Sequence, residues 1–145
     1  MMRLRDLIAA GALALALTAC DDDATTSGGI LGPLDGPRIA ESQLALAVVN
    51  DLPAGITDVF DLDDTVNLWI HWIALEPPHE IEVVWWEPDD DNFVSTLDIT
   101  DPEAEQVTVF TLDFAPLSPT GRWEVEIWLD GEFMRSHIFL AVDSL

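Results

Sequence analysis

The sequence predicts an all-β domain, an antiparallel two-layer sandwich of about seven strands. Three observations carry that expectation. Short segments rich in Val, Ile, Phe and Trp alternate with polar residues at a period of two. Clusters of Pro, Gly and Asp separate them, and no segment after residue 37 sustains a long helical period. About 105 ordered residues bury roughly 60–70% of the extended chain's surface, enough core for folding without covalent staples.

The chain begins with something physically different. Met1 to Asp6 carry Arg3 and Arg5, and Leu7 to Leu17 is an uncharged run of Leu, Ala, Ile and Gly. A helix needs about 20 apolar residues to span a bilayer. This shorter run, with a basic start and small residues at its end, is an export signal. Leu17-Thr18-Ala19-Cys20 resembles the lipobox of bacterial lipoproteins. The resemblance implies cleavage between Ala19 and Cys20, removal of residues 1–19, and a diacylglyceryl group on the Cys20 thiol. Two or more acyl chains hold a protein stably at a membrane, at about 0.8 kcal/mol per buried methylene. Cys20 is also the one cysteine in the chain, so its acylation leaves no thiol for a disulfide.

Residues 20–37 form the anchor and a tether. Asp21 to Pro37, DDDATTSGGILGPLDGP, is rich in Asp, Gly, Pro, Ser and Thr and has no usable period. Such a coil spans about 20–25 Å on average. Asp21 directly after Cys20 resembles the inner-membrane retention signal of enterobacterial lipoproteins. That resemblance implies the periplasmic face of the inner membrane in preference to the outer membrane, within a bacterial cell envelope.

Of the 28 acidic residues only Asp6 lies in the signal, leaving 27 against Arg38, Arg122 and Arg135, a net charge of −24 with no lysine. Such a field repels nucleic acid and anionic headgroups and favours cations or a basic partner. A saline habitat produces the same composition.

The folded domain is expected over residues 38–145. Gln43 to Asn50 fits helix or strand. Val66, Leu68, Ile70 and Trp72 alternate with Asn67, Trp69, His71 and Ile73. Ile81, Val83 and Trp85 alternate with Glu80, Glu82 and Val84, and Val107 and Val109 with Thr108 and Phe110. These apolar sets supply the inner faces. The cleanest strand places Trp123, Val125, Ile127 and Leu129 opposite Arg122, Glu124, Glu126 and Trp128. Asp130-Gly131 then provides the two positive φ values of a type I′ hairpin, and Phe133 to Val142 returns beside it.

FDLDDTVNLWIHW, EVVWWEPDDDNF and GRWEVEIWLDGEFMRSHIFLAV resemble the immunoglobulin-like accessory domains of bacterial envelope lipoproteins and secreted proteins. Gly121, Trp123, Val125, Asp130, Gly131, Phe139 and Val142 match the final hairpin of such domains; the Cys pair of true immunoglobulin domains is absent. The resemblance implies a binding or spacer module and carries no catalytic residue across.

Candidate chemistry is thin. His71, His79 and His137 are the only neutral-pH bases, with no Gly-x-Ser-x-Gly elbow and no free thiol beside them, so no enzyme is expected. His79-Glu80-Ile81-Glu82 lacks the helical spacing of a zinc site. The acidic turns Asp61, Asp63, Asp64 and Asp89, Asp90, Asp91 are candidate Ca²⁺ ligands, or solvated strand stops. Trp72, Trp85 and Trp123 are assigned to the core. Trp69, Trp86 and Trp128 face outward as candidate ligand-binding residues, able to stack on sugars or anchor a protein. The expected role is a membrane-anchored, non-catalytic module with an envelope protein partner. The alternatives are a carbohydrate or cell-wall binder and a calcium-stabilised spacer.

Overall fold

The computed structural model describes residues 36–100 and 107–143. Ala19, Cys20 and the tether up to residue 35 lie outside the described residues. Nine strands are present in that span: β1 Arg38–Val49, β2 Leu52–Ile56, β3 Val59–Asp61, β4 Thr65–Ile73, β5 His79–Trp86, β6 Asn92–Ile99, β7 Val107–Asp113, β8 Gly121–Leu129 and β9 Glu132–Val142. They form a four-stranded sheet, order β2-β1-β4-β7, and a five-stranded sheet, order β3-β9-β8-β5-β6. The all-β sandwich is therefore real, with more strands than the expected seven.

The ambiguous Gln43 segment is strand. Its alanines favour helix, but β1 lies between β2 and β4 and satisfies its backbone on both sides, so tertiary pairing decides. After β2 the chain crosses to the other sheet, where β3 runs parallel to β9. The remaining described pairs are antiparallel.

The predicted inner faces hold in β4, β5 and β8: Val66, Leu68, Ile70, Trp72, Ile81, Val83, Trp85, Trp123, Val125, Ile127 and Leu129 are all buried. Strand β7 is the correction. Thr108, Phe110 and Leu112 point inward, and Val109 is 38% exposed. A partner on the neighbouring strand accounts for it: the buried Trp72 indole N–H donates to Thr108 Oγ1 at 2.9 Å. A buried donor needs an acceptor, and this hydroxyl supplies it.

The β8–β9 hairpin turns as expected, with Asp130 at φ 50° and Gly131 at φ 79°. A two-residue turn pairs Leu129 with Glu132 and Trp128 with Phe133. Carried on unbroken, that register would set Trp123 opposite Ile138. Instead a bulge at Met134 shifts it, so that Ile127 pairs with Arg135 and Trp123 with Phe139. Met134 is buried at the bulge. Beyond it Phe139 reaches the core, stacking on Trp123 at 5.9 Å between centroids and meeting Phe60 edge-on at 5.6 Å.

Candidate functional site

The three outward tryptophans do not share a surface. Trp69 sits on β4 in the four-stranded sheet and is only 4% exposed. Its indole N–H donates to the Asp51 carbonyl at 2.8 Å, at the turn between β1 and β2. That hairpin covers it, so its candidacy as a ligand-binding residue falls. Trp86 and Trp128 lie on the outer face of the five-stranded sheet, half-buried. In the β5–β8 ladder Trp86 pairs with Glu124 and Trp128 with Glu82, so carboxylates lie directly beside both rings. Trp128 donates to Glu126 Oε2 at 3.0 Å and packs edge-on against Phe133. Trp86 lines an open hollow of about 170 Å³ with Arg122 and Glu126. Its indole nitrogen is buried without a hydrogen-bond partner among the described residues.

The acidic turn after β3 uses its carboxylates on its own backbone. Asp64 Oδ2 accepts from the Asp61 N–H at 2.8 Å, and Asp61 Oδ1 from the Asp63 N–H at 3.4 Å. Asp89, Asp90 and Asp91 make the β5–β6 turn, with Asp90 at φ 68° and the Glu87 N–H bonded to the Asp91 carbonyl. No three or more His, Asp or Glu side chains converge into a metal-holding group among the described residues. The first turn is closed by Asx-type bonds and the second by backbone bonds alone.

The histidines have separate environments. His71 lies on β4, its ring 6.1 Å from that of Trp69. His79 opens β5 rather than lying in the preceding turn, and its Nδ1 is 2.7 Å from Asp130 Oδ2. Partial burial pushes the Asp130 carboxyl up, but the Glu80 backbone N–H and the His79 ring outweigh it and hold it below its ordinary value.

His137 belongs to a cluster absent from the sequence reading. Its Nε2 lies 2.7 Å from Oγ of Ser42 on the opposite sheet, and Arg135 donates to the same Oγ at 3.1 Å. Burial, then the neighbouring Arg135 charge, lowers the His137 pKa to about 4. The serine oxygen thus accepts from arginine and shares a second hydrogen bond with the neutral ring. A serine activated for attack needs a base poised near neutrality and an accessible hydroxyl. Here the base is weakened by a cation and Ser42 is 4% exposed. The chemistry of the trio is that of a clasp between the sheets.

The sheet edges differ most. β3 is only three residues long, and β2 contains Pro53 and Gly55. β6 is eight residues, Asn92 to Ile99, with one charge and neither Pro nor Gly. Its partners in β5, Trp85 opposite Phe93 and Ile81 opposite Leu97, are fully buried. Phe93 and Leu97 themselves remain 38% and 36% exposed, and Val94 on the outer face 50%. The signal for this feature was present in NFVSTLDI, a β-prone run with a single charge, but its poor alternation hid the strand.

No protein-family model matches the chain, and no curated protein matches it. Among solved structures it is similar to an immunoglobulin-like protein from Pseudomonas aeruginosa, with a TM-score of 0.60 and 13% identity over 77% of this chain and 100% of that one. At that identity the likeness shows the fold alone: an immunoglobulin-like sandwich. A second likeness, TM-score 0.44 and 15% identity, covers 70% of this chain and 30% of a Pseudomonas fluorescens alkylpurine DNA glycosylase bound to DNA with an abasic-site analogue. That similarity is too low to bear on this chain's function.

Proposed function

We propose that this chain is an exported, lipid-anchored protein of the bacterial envelope whose immunoglobulin-like domain binds another protein and performs no catalysis. Leu17-Thr18-Ala19-Cys20 supports the anchor, and Asp21 supports the periplasmic face of the inner membrane. The observation that carries the binding role is the edge strand β6 of the five-stranded sheet, unpaired on its outer side among the described residues, where Phe93 and Leu97 stay one-third exposed. The Ser42–His137–Arg135 arrangement favours a structural over a catalytic use of the only Ser–His pair bonded among the described residues. The glycan alternative is weakened, since Trp69 is covered and acidic residues flank Trp86 and Trp128.

Mass spectrometry of the native N-terminal peptide tests the anchor. An acylated Cys20 without residues 1–19 is the expected species; a bare thiol or a retained Met1 overturns it. Crosslinking in intact envelopes tests the binding role, which fails if the chain forms no adduct with any other protein.

A further inference from the structure

We propose that β6 receives an extended segment of a partner protein as a sixth strand of its sheet, and that this segment alternates apolar residues with Lys or Arg. The inference rests on the binding role above and specifies its surface and ligand chemistry.

Four strands end the two sheets: β2 and β7 in one, β3 and β6 in the other. β3 is too short to template a partner, and Pro53 removes a donor from β2. β7 is long enough, but its inward residues Thr108, Phe110 and Leu112 are already buried, which leaves Val109, on the outer face, as its one exposed large apolar side chain for an added strand to cover. β6 is the edge where covering has something to gain. Its inward Phe93 and Leu97 keep over a third of their surface in water, although Phe93 already lies against Trp85 with ring planes 17° apart. A neighbouring strand would pair with the outward-turned N–H and C=O groups of β6 and would set its own inward side chains beside Phe93 and Leu97.

Charge selects the occupant. The outer face of the β5–β6 ladder carries Glu80 opposite Asp98 and Glu82 opposite Thr96, and the adjoining turn is Asp89-Asp90-Asp91. A strand laid beside β6 therefore has outward residues next to the Asp98 carboxylate, with Glu80 and Glu82 one strand further in, where Lys or Arg is favoured and Glu or Asp repelled. A second copy of this chain is disfavoured on the same grounds, because each mature chain brings a net charge of −24. The same charge disfavours the chain's own tether, whose first residues are three aspartates.

The test is hydrogen–deuterium exchange of the full chain in detergent micelles, with and without a synthetic peptide of alternating Val and Lys. The expected result is slowed exchange confined to residues 92–99, weakened about tenfold or more in apparent affinity when Glu replaces the Lys residues. Backbone N-methylation of the peptide on its β6-facing side should abolish the protection, and this control needs no change to the protein. Leu97→Lys, an inward lysine at an edge, should abolish it too while leaving exchange elsewhere unchanged. Absence of protection at 92–99, protection indifferent to peptide charge, or concentration-dependent protection without peptide, the mark of self-pairing, each overturns the proposal. If the edge proposal fails while an envelope adduct still forms and survives Leu97→Lys, binding is real but lies elsewhere. If no adduct forms at all, the binding role itself is lost.

Discussion

At Phe139 the space between the sheets is filled by rings: Trp123, Phe60, Phe114 and Trp85 all lie within 6.5 Å of it, centroid to centroid. Two residues earlier on the same strand, His137 closes that space with Ser42 and Arg135 instead. The difference separates two kinds of stabilisation. Ring packing scales with area removed from water and tolerates small rotations. The polar clasp gains little net energy, because desolvating an imidazole and a guanidinium offsets the hydrogen bonds, but it forms in only one alignment of the strands.

Trp123→Ala should break the aromatic side most severely. Removing a ring 1% exposed and hydrogen-bonded to the Pro119 carbonyl should cost about 3–5 kcal/mol, read from urea denaturation midpoints. A loss below about 1 kcal/mol would mean the rings are not the main seal.

His137→Gln probes the clasp through pH. The folded His137 pKa of about 4 lies below the ordinary 6.5, so the unfolded chain binds the proton more readily. The neutral ring's contribution is whole above about pH 6.5 and fades as pH falls towards 4. Wild type should therefore lose up to about 3 kcal/mol relative to His137→Gln between pH 7 and 4 in paired denaturation series. Parallel curves for the two proteins would remove the buried neutral histidine from the account.

Trp72 is the intermediate case, a core ring with one polar bond to Thr108. Trp72→Phe should cost about 1–3 kcal/mol by stranding the hydroxyl, and adding Thr108→Val should recover part of it. Strict additivity of the two changes would show that the bond contributes nothing specific.

The smallest effect belongs to a polar contact at the surface, which shares only a histidine with the clasp. His79→Ala deletes the ring that bonds Asp130 at the surface while leaving the turn residue at its positive φ, and should cost less than about 1 kcal/mol in thermal melts. A larger loss would place exposed and buried polar contacts on the same footing.

Strong alternation made most of this molecule legible. Trp123, Val125, Ile127 and Leu129, the Asp130-Gly131 turn, and the inner residues of β4 and β5 could be read directly because one side of each strand is dry. Four features could not. Val107 and Val109 are no less apolar than the β7 residues that replace them inside, and only the distant Trp72 N–H explains why Thr108 is buried. Trp69 follows the outward parity yet is covered by a hairpin whose reach no local pattern encodes. The Ser42–His137–Arg135 clasp joins residues more than 90 positions apart, so no local spacing displays it. Phe93 and Leu97 hid the open edge for a related reason: half-wet strands alternate weakly.

The bulge at Met134 leaves β9 with an unusual distribution of side chains. Past it, Arg135 and His137 share the inner face with Phe139 and Ala141, while Ile138 and Leu140, 50% and 44% exposed, occupy the outer. The slipped hairpin, without the extra residue, would exchange the two rows and send the greasier one inside, so hydrophobicity alone does not reject it. What rejects it is the loss of Trp123–Phe139 stacking and the stranding of Ser42. Arginine and histidine on the inner face thus act as a key to the register: only the bulged pairing brings both of them to one serine while keeping the ring stack.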